Sequence, residues 1–240
     1  MTAQQPEHLE RWDEWIRGDL WKEVHEIVQQ VHIFQSWTEA VEAADEKSKK
    51  PGFLHNWTAH NYLDSIAVGV RRLSDRDDRT RSLRRLLEEV EEGAEQLTRE
   101  WWMSRAPEDL EDTWAAQFEE ISRGNPNVDA GVVREDRKRL VNACEIIKAY
   151  VDKHIAHLDA DREEIEMPTI GDAHDAISVI YQVFHRWYQV ITGAALALVQ
   201  PPRWEHVLAM PWIDIETAAS IADRRREEWN TQMRDVGVLK

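Results

Sequence analysis

Apolar residues recur at helical spacing along almost the whole chain, and period-two alternation bounded by turns is nearly absent, so the pattern predicts an all-α protein. Trp12, Ile16, Leu20, Val24, Ile27, Val31 and Phe34 trace one stripe of a long first helix that begins near Pro6. The stretch KSKKPG, Lys47 to Gly52, closes it: lysines oppose the negative end of the helix dipole before Pro and Gly stop the helix. A second helix is expected from about Thr58 or His60 to Leu73, burying Tyr62, Leu63, Ile66, Val70 and Leu73. SDRDDRT then breaks the pattern, and Asp78 or Thr80 is placed to cap a third helix carrying Leu83, Leu86, Leu87, Val90 and Leu97.

SRAPEDLED reads as another helix start, with Pro107 near the first turn, and RGNPN, Arg123 to Asn127, as a stop. From about Asp129 runs the longest continuous pattern, with Leu140, Cys144, Ile147, Val151, Ile155 and Leu158 as its core stripe, until EMPTIGD ends it. A strongly apolar helix is expected from Asp172 to Val199, broken by QPPR, and a last one from about Ile213 to Met233. Neither an internal repeat nor a low-complexity linker interrupts the series. The expectation is one domain over 1–240, an antiparallel bundle of about six to seven helices in which those of 172–240 pack on the rest.

Composition narrows the classes. Twelve tryptophans outnumber the four Phe and four Tyr, and Trp tends to bury its body while its N–H tip finds a polar group, so a packing role is expected ahead of ligand or base stacking. A single cysteine, Cys144, excludes an internal disulfide and a multi-cysteine zinc site and fits a reducing cytoplasm. The longest apolar run, Ile177 to Val199, holds His185 and Arg186 at its middle, which favours a core helix over a membrane span. A net charge of −16 argues against broad adhesion to nucleic acid or to an anionic membrane. Two basic stretches reverse the sign locally, RRLSDRDDRTRSLRR from Arg71 and REDRKR from Arg134, and each is either an ion-paired surface or a phosphate-meeting patch.

Candidate chemistry gathers in AYVDKHIAHLDADRE, Ala149 to Glu163. At about 100° per residue Tyr150, His154, His157 and Asp161 share one edge beside the core stripe. Lys153 lies four before His157 and Asp161 four after it, so both can tune that imidazole as a general acid or base, unless the group is a solvated helix face. Helical-bundle iron sites need Glu-x-x-His pairs on separate helices, and none occurs; a site assembled from other histidines, such as His25 and His32 or His174 and His185, keeps a metal-dependent enzyme as an alternative. A Gly-rich phosphate loop and a Ser-centred nucleophile elbow are both lacking, which removes nucleotide hydrolysis and acyl transfer.

Two segments together, NYLDSIAVGVRRLSDRDDRTRSLRRLL and AYVDKHIAHLDADR, resemble the HEPN superfamily, in particular its AbiU-type abortive-infection proteins. Arg72, Leu73, Ser74 and Asp75 match that group's Arg-Leu-x-Asp turn, Ser82 and Leu83 its following Ser-Leu start, and Asp152, Lys153, Ala156 and His157 its Asp-Lys-x-x-Ala-His core. The resemblance spans about 56–165. It implies an antiparallel bundle that often dimerises and, in active members, a metal-independent endoribonuclease without cofactor. An arginine, a polar residue after it and a histidine four to six positions on form that composite site. His157 matches the histidine and Asp152 the polar residue, but the arginine position falls on Val151, which can neither carry a proton nor bind phosphate. Lys148 or Lys153 would substitute only as an ammonium, without the planar fork of Arg, while Arg72 or Arg162 would have to arrive from elsewhere. The candidate set is therefore His157, Asp152 and Lys153 for chemistry, and Arg71, Arg72, His154 and Arg162 for RNA phosphate. The expected function is that of a cytoplasmic, homodimeric defence or stress protein, RNA-binding or regulatory, with weak or lost ribonuclease activity. The alternative is an interaction scaffold or toxin–antitoxin partner whose acidic surface meets a basic cognate protein.

Overall fold

The computed structural model describes residues 8–43, 52–156, 166–194 and 214–235. Among these residues the structure is helical, and the only strand-like contact is an isolated antiparallel bridge between Thr98 and Asn127. The expected stop at Lys47 to Gly52, the QPPR break and the reach of the apolar run beyond Ala194 lie almost wholly outside the described residues.

The first rod consists of α1 (Leu9–Trp15), a π-helical turn (Ile16–Leu20) and α2 (Trp21–Ala43). Its stripe explains the π turn. Trp12, Ile16, Leu20 and Val24 are spaced by four, and in a regular α-helix each such step drifts by about 40°. The wider turn absorbs that drift, so all four side chains stay in the core. Helix α3 (Gly52–Leu73) begins earlier than the expected Thr58 or His60. Its first turns leave Trp57 exposed and so carry little of the apolar periodicity that marks a start. The cap of α4 (Leu83–Glu92) is also a correction: Ser82 fills it, its Oγ accepting from Arg85 N at 3.1 Å, in place of Asp78 or Thr80. Thr80 is already used in the preceding turn, where its hydroxyl donates to the Asp77 carbonyl.

Short α5 (Arg99–Met103) and α6 (Glu111–Ser122) follow, and RGNPN stops α6 as expected, with Arg123 and Gly124 both in the left-handed region. Asp129 caps α7 (Ala130–Tyr150), which continues into a second π-helical turn, Val151–Ile155. Thr169 and Asp172 form a reciprocal capping box for α8 (Ile170–Thr192), and Gly193 closes it at φ 66°. The last helix is α9 (Ile215–Asp235).

Helix α7 lies at the centre, packed on α3, α4 and α8, while α2 packs on α3, α8 and α9. One core runs through these contacts, and a smaller cluster of Trp37, Ala40, Ala218 and Ile221 joins α9 to α2. Three tryptophans show the buried body and satisfied tip that their composition suggested. Trp12 donates to Glu89, Trp102 to the Trp114 carbonyl, and Trp187 to the buried carboxylate of Asp136. Cys144 is buried in the core, and burial pushes its thiol up to about 12, so it packs as an inert side chain. Among the described residues no helix is long and apolar enough to cross a membrane.

Candidate functional site

The end of α7 carries the matched motif. Its π turn is closed by the Ala156 N–H donating to the Val151 carbonyl at 2.8 Å, five residues back. Val151 is buried at 4% exposure, so the position where the resemblance expects arginine is a core position. Ile155, at the end of that turn, is 37% exposed, which corrects its expected place on the core stripe. Leu158, the next member of that stripe, lies outside the described residues.

Beside Val151, Asp152 is the hub of an ion network. Arg71, in the last turn of α3, donates Nε to Asp152 Oδ1 at 3.0 Å and Nη1 to Asp75 Oδ2 at 2.5 Å. Lys148 donates Nζ to Asp152 Oδ2 at 2.8 Å. Burial alone would raise the Asp152 carboxyl, but the hydrogen bonds from Lys148 and Arg71 outweigh it and hold the group below its ordinary value. Burial likewise opposes the charge of Arg71, and its bonds to Asp152 and Asp75 more than restore it. Two cations thus face two anions, and the network closes on itself.

The aromatic edge continues it. Tyr150 donates its hydroxyl to Asp64 at 2.7 Å, and burial together with that bond raises its pKa, so it stays a phenol. The His154 ring stacks on Tyr150 at 5.2 Å, and its Nε2 has no hydrogen-bond partner among the described residues.

The predicted residues separate accordingly. Arg71, Asp152 and His154 are brought to one end of the bundle, and Lys153 stands on the same turn. Arg72 is not delivered there: it points to Glu23 at 3.3 Å, across a groove of about 380 Å³ lined also by Glu26, Asp64 and Ile155. His157 and Arg162, with Asp161, lie outside the described residues. Both basic stretches prove to be ion-paired surfaces. Arg79 meets Asp77, Arg81 meets Asp19, Arg84 and Arg85 meet Glu88, and Arg134 and Arg137 meet Glu91 across the α4–α7 seam. The histidines considered for metal lie in separate surroundings: His25 bonds Gln29, His174 bonds Tyr62, and His32 is buried. Among the described residues no three His, Cys, Asp or Glu side chains are gathered as a metal site.

Sequence reasoning did not foresee Asp75 and Lys148 as the partners that hold Arg71 and Asp152. Each lies four residues from the group it binds, and that spacing was the available signal.

The described helices form an all-α bundle in which the Asp152 turn at the end of α7 meets the last turn of α3. The chain belongs to the abortive-infection branch of the HEPN class: the AbiU2 family model, HEPN_AbiU2, matches residues 9–200. That span takes in the amino-terminal rod and all of α8, well beyond the two segments that carried the resemblance. Comparison with curated proteins and with solved structures returned no match.

Proposed function

We propose that this AbiU2-family protein acts in abortive infection as a regulatory, noncatalytic protein, with the metal-independent ribonuclease chemistry of active HEPN members lost. The supporting observation is the pair of changes at the end of α7: Val151 is buried where an arginine is expected, and the guanidinium that bonds Asp152 there, Arg71, is held by Asp75 and Asp152. Metal-free RNA cleavage needs a base for the 2′-hydroxyl proton and positive charge for the phosphorane. His157 supplies a candidate for the first, whereas the cations beside Asp152 are already neutralised. Homodimerisation and residence in the cytoplasm belong to this reading as they belong to the resemblance. Incubating the protein and its His157→Ala variant with mixed RNA in excess chelator tests it. Equal background from both is the expected outcome, and cleavage that depends on His157 overturns it.

A second reading, a basic protein partner, is favoured by the groove between α2 and α3. Glu23, Glu26 and Asp64 line it against one arginine, Arg72, which suits a cationic segment better than a phosphate backbone. The Glu23→Gln/Glu26→Gln/Asp64→Asn variant is then expected to lose a co-purifying basic partner, and retention of that partner excludes the groove as its site.

A further inference from the structure

A second cavity, of about 390 Å³, opens where α9 crosses α2 and α8, and it has a different character from the motif end. Val28 and Val31 of α2, Ile177 of α8 and Met233 of α9 form its apolar wall, and Gln35, Asp175, Ser178 and Gln232 also line it. Two aromatic rings meet there, Trp229 and Tyr181, edge to face with centroids 5.7 Å apart. Among the described residues no lysine or arginine lines it, and the nearby Arg225 is paired with Glu39 and Glu228. A phosphate or carboxylate would find no cation of its own.

Among the polar residues that line the cavity, His174 has a ring nitrogen to spare. His174 shares a 2.6 Å hydrogen bond between its Nε2 and the Tyr62 hydroxyl. Burial keeps Tyr62 protonated and His174 neutral, the latter chiefly by desolvation. The Tyr62 hydroxyl has no other acceptor among the described residues, so its proton points to Nε2, and the imidazole carries its own hydrogen on Nδ1. The ring is held in place from behind: Tyr62 stacks on Phe34 with centroids 4.0 Å apart and planes within 4°. Nδ1–H has no partner among the described residues. A cavity of this size with an apolar wall on one side and a fixed donor suits a small ligand, since the apolar wall supplies affinity and the donor fixes orientation.

We propose that this cavity binds a small, neutral, planar aromatic ligand bearing one hydrogen-bond acceptor, the ring lying between the α2 and α8 walls beside Trp229 and the acceptor meeting His174 Nδ1–H. Because the walls come from three helices, occupancy ties α9 to the bundle. The proposal is independent of the reading of the motif end.

Quinoline and naphthalene test it, being matched in shape and differing by one ring nitrogen. By calorimetry, quinoline binds saturably and roughly fivefold more tightly than naphthalene, the difference of one net hydrogen bond. In His174→Phe the two bind equally. Ser178→Trp, at an exposed lining position, blocks both. The imidazole resonance that is missing from His174→Phe, or from His174→Gln should the phenylalanine variant fail to fold, shifts on addition of quinoline to the full-length protein. Absence of saturable binding, equal affinity of the two probes for the native protein, binding that survives in Ser178→Trp, or an unmoved His174 resonance each overturns the proposal.

Discussion

The end of α7 and the cavity under α9 are opposites. The first is crowded with ionisable groups, and its central charges are spoken for: Arg71 lies between Asp75 and Asp152, with Lys148 on the far carboxylate oxygen. The second has no lysine or arginine in its lining among the described residues, and it contains open volume and, on His174, a ring nitrogen without a partner there. A motif is recognised by the residue types it keeps, whereas a binding site is recognised by capacity left unsatisfied. In this protein the two criteria select different ends of the bundle.

Four substitutions sharpen that contrast, in falling order of effect. Restoring the expected arginine by Val151→Arg places an unpaired guanidinium in the core and costs about 4 kcal/mol of folding stability, with no gain in RNA cleavage. Denaturant unfolding and the chelator assay measure both, and a stable, newly active variant would refute the core assignment.

The next effect belongs to the α9 side. His32 is buried edge-on against Trp229, with neither nitrogen hydrogen-bonded among the described residues. Burial, with a smaller contribution from Arg225, lowers its pKa from 6.5 to about 4. Folding therefore favours the neutral ring. Its stability contribution is complete above pH 6.5, falls as pH drops from 6.5 towards 4, and is lost below that, a swing of about 3 kcal/mol. His32→Phe removes that slope, so unfolding curves for the two proteins diverge through this window; parallel curves would contradict the burial of His32. Asp152 and the other depressed carboxylates act in more acid solution and act equally in both proteins.

At the motif end Arg71→Ala leaves Asp75 and one oxygen of Asp152 without their donor and costs about 2 kcal/mol near neutral pH. Lys148→Ala costs less than about 1 kcal/mol, because that ammonium is more than a third exposed. A reversed order would place the hub of the network on Lys148.

Much of this fold was legible because helices carry their burial pattern in the chain. The stripe from Trp12 to Phe34 is buried throughout, Asp129 and RGNPN mark ends where helices do begin and stop, and EMPTIGD contains the start of α8. The π turns were not read directly, although the run of four-residue spacings from Trp12 to Val24 was their trace. Ile155, at the end of the second π turn, lies at the surface although a uniform 100° per residue placed it on the core stripe. At the site, the loss of the arginine at Val151 was visible as a residue type. The delivery of Arg71 in place of Arg72 was not, because neighbouring helix residues differ by about 100° and only the α3–α7 crossing decides which one points at Asp152. The α9 cavity left no motif at all. Its walls are ordinary core residues from α2, α8 and α9 that meet only after folding.

The direct test of the closed network is RNA affinity measured by titrating a labelled single-stranded RNA with the native protein, Arg71→Ala and the Asp75→Asn/Asp152→Asn variant across salt concentrations. With Arg71 already held by carboxylates, the native protein and Arg71→Ala bind equally weakly, and only the double variant gains affinity, with a steeper salt dependence as its cations are released to phosphate. Native binding that is strong, salt-sensitive and lost in Arg71→Ala would show the guanidinium reaching RNA as it stands, and would contradict the account.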